Sequence, residues 1–530
     1  MSYERYLYFI LIIVFGSGCS ILSKQEIKLN REQIARVSPK SRAEILKYFN
    51  TPTKLLSKKS AFYSLSDPKD AFSARVFLVD HAKKSLDVQY YIYENDKTGS
   101  YFSYRLLEAA NRGVKVRILI DDLSSTGLDK EWRSIAEHPN IELKLFNPNR
   151  LRSSFRNLAL LLNIDSLGKR MHNKSLIADR SIAILGGRNI GDVYFAADKE
   201  TLFFDYDILT VGRVVSDIQT QFEIYWNSKE SVSSEKLLEG SFTSKDIKHN
   251  KKEFENSIIS FKNSILGKSM KNSSFLKDIY NGGVELTVAE DAHLYYDYPE
   301  KVISSEDDIR THLSSRISID LKEVKKDLIV ISPYFIPSKE MMQSFYDMRS
   351  RGVHITVVTN SLASTDVFPV YSGYRWYIKD LIEMGIELYE LKPQSFKKYS
   401  NSKKWLKTNK TSLHTKMMVI DGYRFVVGSA NIDPRSSKLN TELLLIIDSK
   451  KMANKKQIAL KSIINMENFY RLSWGIHPLE PEDDNIPIYG IIWSSRENGK
   501  IKRYFSPPNS GYFRRLGTDL LSILPIEGYL

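Results

Sequence analysis

Cysteine is almost missing from this chain: Cys19 is the only one in 530 residues. That excludes disulfides within the chain and any cysteine-ligated metal site. Long apolar runs are missing too. The one stretch of note, Leu7 to Phe15, is shorter than the ~20 residues a spanning helix needs, and no second stretch is long and apolar enough to span. No His/Asp/Glu cluster has metal-ligand spacing, so no metal or other cofactor is implied. Acidic residues are in deficit, 63 Asp+Glu against 77 Lys+Arg, for a formal charge of +14. Such a balance fits a polyanionic partner, membrane phospholipid or nucleic acid, and charge alone fits a basic solvated surface equally well. What is present in quantity is core material: 42% apolar residues with 25 Phe and 30 Tyr exclude a mainly disordered protein. The length allows two to four domains.

Cys19 follows the apolar run and a small-residue patch, Gly16-Ser-Gly18, in the proportions of a secretory signal. A Cys placed directly after small residues resembles a bacterial lipobox, in which that Cys is lipidated and becomes the new N-terminus. Gly16 stands where a lipobox usually carries Leu, and a short uncleaved anchor is the competing reading. Either one holds the chain at a membrane, on the extracytoplasmic side of the cell envelope.

The chain is organised around a pattern that occurs twice. Met171-His-Asn-Lys-Ser-Leu-Ile-Ala-Asp179 runs on to Gly186-Gly-Arg-Asn189, and Leu413-His-Thr-Lys-Met-Met-Val-Ile-Asp421 runs on to Gly428-Ser-Ala-Asn431. The shared form is His-x-Lys-x4-Asp-x6-Gly-x-x-Asn. On a strand, His and Lys two apart point to the same face, and a Gly turn after the next apolar run brings the Asn back beside them. Two such half-sites facing each other supply His172, His414, Lys174, Lys416, Asn189 and Asn431 around one anion. That set suits phosphoryl transfer, where positioning and charge stabilisation do most of the catalysis. Asp179 and Asp421 fall an odd number of residues past their Lys, face away, and are expected to be structural.

The duplication extends past the motif. Ser85 to Tyr93, a helix from Tyr101 to Asn111, Arg112-Gly113 and Val114 to Ile120 make a strand–helix–strand unit with parallel strands. Its counterpart is Asp327 to Ser332, a helix from Lys339 to Ser350, Arg351-Gly352 and Val353 to Thr359. Gly113 and Gly352 are 239 apart, and His172 and His414 are 242 apart. A strand and a helix follow each motif, Asp205 to Val211 with Val214 to Trp226, and Thr441 to Ile447 with Lys456 to Tyr470. The expected fold is α/β, with two tandem domains related by a pseudo-twofold axis, each a mostly parallel mixed sheet flanked by helices. Expected boundaries are a signal over 1–19, a tether over 20–70, a first domain over 71–227, a linker or helical insert over 228–280 and a second domain over 281–475. A C-terminal extension over 476–530 follows, whose apolar patch Leu520 to Leu524 is expected to pack on the body.

The doubled motif resembles the phospholipase D superfamily. Flanking text resembles more specifically its bacterial cardiolipin synthase C-like branch: Arg170-Met-His-Asn-Lys174, Gly186-Gly-Arg-Asn-Ile-Gly191, Thr359-Asn-Ser-Leu-Ala363, Asn431-Ile-Asp-Pro-Arg435, Leu439-Asn-Thr-Glu442 and Leu524-Pro-Ile-Glu527. The resemblance implies a metal-independent transfer through a covalent phosphohistidine, with His172 as nucleophile and His414 as general acid/base. The lysines and asparagines would hold the non-bridging oxygens. An attacking imidazole needs its second nitrogen held, and the expected holders are Glu442 for His414 and Asp207, or failing that Asp205, for His172. The implied activity is a phosphatidyltransferase acting on phospholipid, with no nucleic acid as partner. The apolar runs Leu158 to Leu162 and Val367 to Tyr371 are candidates for acyl-chain contact or for ordinary core. Hydrolysis by a phospholipase D, a nuclease of the same superfamily and a non-catalytic lipid-binding scaffold are the alternatives.

Overall fold

The computed structural model describes residues 43–50, 53–123, 128–149, 168–198, 201–237, 244–305, 312–395, 410–477 and 489–522. Cys19, the Leu158 to Leu162 run and the closing Leu524 to Glu527 lie outside the described residues.

Each strand–helix–strand unit forms for local reasons that the two halves share. Helix Lys97–Asn111 opens on Asp96, whose carboxylate accepts from the Gly99 N–H at 2.9 Å, and it buries Phe102 and Leu106. Helix Lys339–Ser350 opens on Ser338, whose hydroxyl accepts from the Met341 N–H at 3.2 Å, and it buries Phe345 and Met348. They stop at Gly113 and Gly352, at φ +91° and +81°, a left-handed C-terminal cap that only glycine adopts without a Cβ penalty.

Two large sheets result. From edge to edge the first holds Thr287–Val288, Ser60–Leu65, Asp207–Gly212, Ile182–Gly186, Ser175–Ala178, Ser85–Tyr90, Lys115–Asp121, Ile141–Phe146 and Ser231–Ser233. The second holds Asp291–Tyr296, Leu443–Asp448, Arg424–Gly428, Met417–Ile420, Asp327–Ile331, His354–Asn360, Glu387–Leu391, Phe469–Ile476, Tyr489–Glu497 and Lys500–Tyr504. Both are mixed, but parallel pairing is confined to three strands in each, 85–90, 115–121 and 141–146, and 327–331, 354–360 and 387–391. The expectation of mostly parallel sheets is corrected accordingly. Each motif strand returns through a tight turn, at Asp179-Arg180 (φ +50°, +51°) and at Asp421-Gly422 (φ +54°, +62°). A hairpin of that length can only produce antiparallel neighbours.

The sheets face each other across a shared apolar core. Phe62, Ile177, Ala183 and Leu185 from the first meet Ile329, Val419, Phe425 and Val427 from the second, and helix Val214–Trp226 adds Ile218 and Phe222. The outer face of each sheet is covered by its own helices over a separate core.

Several boundaries differ from the sequence-based ones. Ser60–Leu65 lies in the expected tether, yet it is an inner strand of the first sheet, because it pairs along its whole length with Asp207–Gly212. Residues 228–280, expected as a linker or helical insert, supply the 20-residue helix Ser244–Asn263, whose Phe261 stacks on Tyr101 at 4.0 Å, and also edge strand Ser231–Ser233, which the sequence does not announce. Thr287–Val288 belongs to the first sheet, so the halves part near residue 290. The expected helix from Lys456 to Tyr470 is helix Lys450–Ile463, capped by Ser449, followed by strand Phe469–Ile476. That strand and Tyr489–Glu497 extend the second sheet. The C-terminal helix Tyr512–Ser522 leaves Leu520 exposed, so this residue does not pack on the body. Among the described residues no helix is long and apolar enough to cross a membrane.

Candidate active site

Both motif segments cross the carboxyl ends of the parallel strands, and equivalent residues tie them there. Asp121, ending strand Lys115–Asp121, accepts from the Met171 N–H at 2.8 Å and from Arg170 Nε at 2.8 Å. Asn360, ending strand His354–Asn360, accepts from the Leu413 N–H at 2.8 Å and donates to the Leu413 carbonyl at 2.9 Å. Asp121 and Asn360 lie 239 positions apart, the spacing of the two stop glycines.

Each motif is then stitched to the other half. The His172 N–H donates to the Thr441 carbonyl at 2.9 Å, and the Thr441 N–H donates to the Arg170 carbonyl at 2.9 Å. Strand Lys410–Leu413 pairs in parallel with Thr201–Phe204, and the His414 N–H donates to the Phe204 carbonyl at 2.7 Å. Sequence-distant backbones thus become neighbours at the seam, and the two imidazoles with them. His172, His414, Lys174 and Lys416 are all buried, 7%, 5%, 1% and 2% exposed. His172 senses the charges of Lys174, Lys416 and His414 together, so the four form one cluster.

The carboxylates that hold the imidazoles come from opposite halves, which reverses the expected pairing. His172 Nδ1 donates to Glu442, 2.9 Å from both of its oxygens. His414 Nδ1 donates to Asp205 Oδ2 at 2.6 Å. Glu442 therefore serves His172 and not His414, since the Thr441 zipper carries it across the seam. Asp207 serves neither histidine: its carboxylate is occupied by Arg75 at 2.9 Å and Arg188 at 3.1 Å. Asp205, just before that strand, points over the site instead, with its Oδ1 accepting from the Tyr206 N–H at 2.7 Å.

Other predicted residues take specific places. Lys174 Nζ donates to the His172 carbonyl and Lys416 Nζ to the His414 carbonyl, each at 2.5 Å. An ammonium has two further N–H groups to offer an anion. Asn189 is tied into the first half by two hydrogen bonds, and one amide N–H is left over. Its Oδ1 accepts from the Ile92 N–H at 3.1 Å and its Nδ2 donates to the Tyr194 hydroxyl at 2.8 Å, fixing a ring whose edge lies against His414. The Asn431 Oδ1 is buried with no partner among the described residues. Asp179 accepts from the backbone N–H groups of Lys83, Lys84 and Ser85, and Asp421 from those of Lys325, Lys326 and Asp327. Both face away from the imidazoles and staple the motif hairpin to the start of a parallel strand.

Several contributors went unread in the sequence. Ser429 and Ser436 donate to the Glu442 carboxylate at 2.5 and 2.9 Å. Tyr91 packs edge-on against His172 at 5.0 Å, and Phe203 stacks on His414 at 5.2 Å. Only the Ser429 position, inside the Gly-x-x-Asn text, carried any signal.

Burial and the crowding of like charges set the electrostatics of the site. Burial, then the neighbouring cations, hold His172 well below its ordinary value. Burial depresses Lys174 strongly and Lys416 as well. Burial pushes Glu442 up to about 7. At Asp205 burial pushes upward, but His414, Lys416 and Arg188 outweigh it and the carboxyl stays below its ordinary value. His414 is lowered by burial and Lys416, against an opposing pull from Asp205. The half-sites therefore differ: His172 is the more firmly neutral imidazole, and His414 faces the more firmly ionised acid. Among the described residues no group of His, Cys, Asp or Glu is arranged to hold a metal.

The family model described as "Cardiolipin synthase, PLD-like domain" matches this chain twice, over residues 77–226 and 317–464. Cardiolipin synthase C of Escherichia coli K12 is 34% identical over 475 residues, covering 88% of this chain and 96% of that relative. A cardiolipin synthase of Oceanobacillus iheyensis is 24% identical, covering 74% of this chain and 66% of its own length. Among solved structures, phosphatidylserine synthase of Haemophilus influenzae Rd KW20 superposes with a TM-score of 0.52 at 13% identity. It covers 79% of this chain and 90% of that one, a likeness of fold.

Proposed function

The chain belongs to the cardiolipin synthase family of tandem phospholipase D-like domains, and from that premise we propose that it moves a phosphatidyl group to phosphatidylglycerol through a covalent phosphohistidine. It is a phosphatidyltransferase of cardiolipin synthase type. One observation carries the reading of its site: two buried imidazoles, each fixed through Nδ1 by a carboxylate from the opposite half, lie among two buried lysines.

With Nδ1–H committed to Glu442, neutral His172 presents the lone pair of Nε2 to phosphorus. The nitrogen–phosphorus bond forms as the bond to the leaving alcohol breaks, and His414, entering as an imidazolium whose charge the ionised Asp205 balances, gives that alcohol its Nε2 proton and becomes neutral. The phosphatidylglycerol hydroxyl then gives its proton to Nε2 of neutral His414 and attacks phosphorus, breaking the bond to His172 and restoring neutral His172 and the His414 imidazolium. Lys174 and Lys416 neutralise the charge gathering on the non-bridging oxygens, and in a buried site that attraction is far stronger than in water. Phosphatidylglycerol and phosphatidylethanolamine as donors differ only in the alcohol that His414 protonates. The segment ending at Cys19, as a lipid-modified or short apolar anchor on the extracytoplasmic side of the envelope, would keep the enzyme beside its substrate.

Expression in a host lacking cardiolipin tests this, with lipids read by thin-layer chromatography. Cardiolipin is expected with the wild-type chain and none with His172→Ala or His414→Ala. Phosphatidic acid without cardiolipin would replace transfer with hydrolysis.

A further inference from the structure

Apolar side chains left in water are concentrated in the C-terminal part of the described chain. Of seventeen large exposed ones among the described residues, eight lie between Ile476 and Leu520. The C-terminal helix Tyr512–Ser522 is the densest part. At about 100° per residue, Tyr512, Leu516, Leu520 and Phe513 occupy one arc of about 100°. Phe513 is 86% and Leu520 59% exposed. The side that meets the protein carries polar anchors: Thr518 is 2% exposed, and Arg514 Nη2 donates to the Thr365 carbonyl at 2.6 Å. Asp519 adds an ion pair to Arg375. Tyr512 and Leu516 also border the recess beneath the helix, which leaves Phe513 and Leu520 as the large apolar side chains this helix turns outward.

We propose that this helix, with the strand hairpin Tyr489–Tyr504 beside it, is the face the enzyme lays on an anionic phospholipid bilayer. The inference deepens the phosphatidyltransferase reading and rests on it for the location of substrate. Three observations choose a bilayer over a protein partner. First, over residues 489–522, setting aside Arg514 and Asp519, which are engaged with the body, five basic residues (Arg496, Lys500, Lys502, Arg503, Arg515) stand against one acidic one (Glu497), complementary to anionic headgroups. Aromatic and aliphatic groups flanked by arginine and lysine are the composition of an interfacial helix.

Second, a recess of about 520 Å³ opens under the helix, with Leu362, Tyr371, Trp493 and Leu516 along its walls and Arg375 and Arg515 beside them. It pairs acyl-compatible with phosphate-compatible chemistry. Third, the face adjoins the reacting groups. Thr365, gripped by Arg514, precedes Asp366, whose charge reaches His414 and Lys416. Docking here brings the site mouth to the lipid.

Hydrogen exchange on the full chain tests the proposal without relying on turnover. With phosphatidylglycerol vesicles, backbone exchange across 512–522 should slow at least tenfold, with no change in helix Lys450–Ile463 and none with phosphatidylcholine vesicles. Phe513→Asp with Leu520→Asp should cut turnover on vesicles at least tenfold while leaving turnover of a short-chain monomeric phospholipid within twofold. No slowing across 512–522 on anionic vesicles would overturn the proposal. So would slowing without lipid that grows with protein concentration, which would make a second copy the occupant. Slowing on vesicles from a chain with no lipid turnover would keep the docking face and overturn the phosphatidyltransferase reading.

Discussion

At the scale of single residues, the informative feature is which carboxylate holds which imidazole. Glu442→Gln and Asp205→Asn keep size and remove the acceptor that fixes an Nδ1–H tautomer. Each is expected to lower kcat by about 10²–10⁴-fold with a much smaller change in KM, read as turnover on phosphatidylglycerol vesicles. Asp207→Asn should instead lower stability, since it loosens two buried guanidiniums. Asp179→Ala orphans three backbone N–H groups and puts alanine at φ +50°. The expected cost is about 2–4 kcal/mol of unfolding free energy, measured by denaturant titration, with kcat per folded molecule little changed.

The histidines, lysines and the motif aspartates were legible as residues because their spacing repeats. The holders were not, since Asp205 follows His172 by 33 positions and Glu442 follows His414 by 28. Without equal offsets, nearness in sequence was the only guide, and a seam that crosses the motifs over defeats it.

At the scale of elements, strands read well where apolar runs were bounded by glycine stops, and poorly where a strand is half-exposed. Phe469–Ile476 alternates buried and exposed residues and follows a helix after only a few residues, so a helical period was carried into it. Its sheet extension encloses Glu390, fully buried, which accepts from the Tyr371 hydroxyl and from Trp493 Nε1 at 3.0 Å each. Burial pushes this carboxyl up to about 8.

The folded state therefore binds the proton more tightly than the unfolded chain does. Its contribution to stability is fully present below about 4.5, the ordinary glutamate value, and is lost as pH rises toward about 8, by about 1.4 kcal/mol per pH unit at most. Glu390→Gln should remove that slope and raise the midpoint of thermal unfolding at pH 8–9 relative to wild type. An unchanged slope in calorimetry across pH 5–9 would show that the proton sits elsewhere.

At the scale of the whole molecule, duplication made two similar domains legible, but it could not say how they meet. They share one apolar core and exchange catalytic holders, so neither half contains a finished site. The chain divided at residue 290, between strands of the two sheets, should give two inactive fragments. The first retains His172 without Glu442, and the second retains His414 without Asp205. Co-expression of both fragments should restore turnover.

The central claim is that one anion is gripped by both halves at once, and a crystal structure of the chain with tungstate bound tests it most directly. The oxyanion is expected between His172 Nε2 and His414 Nε2, within bonding reach of both imidazoles, with Lys174 and Lys416 on its remaining oxygens. An oxyanion held by one histidine alone, with the other turned away or occupied in packing, would contradict it.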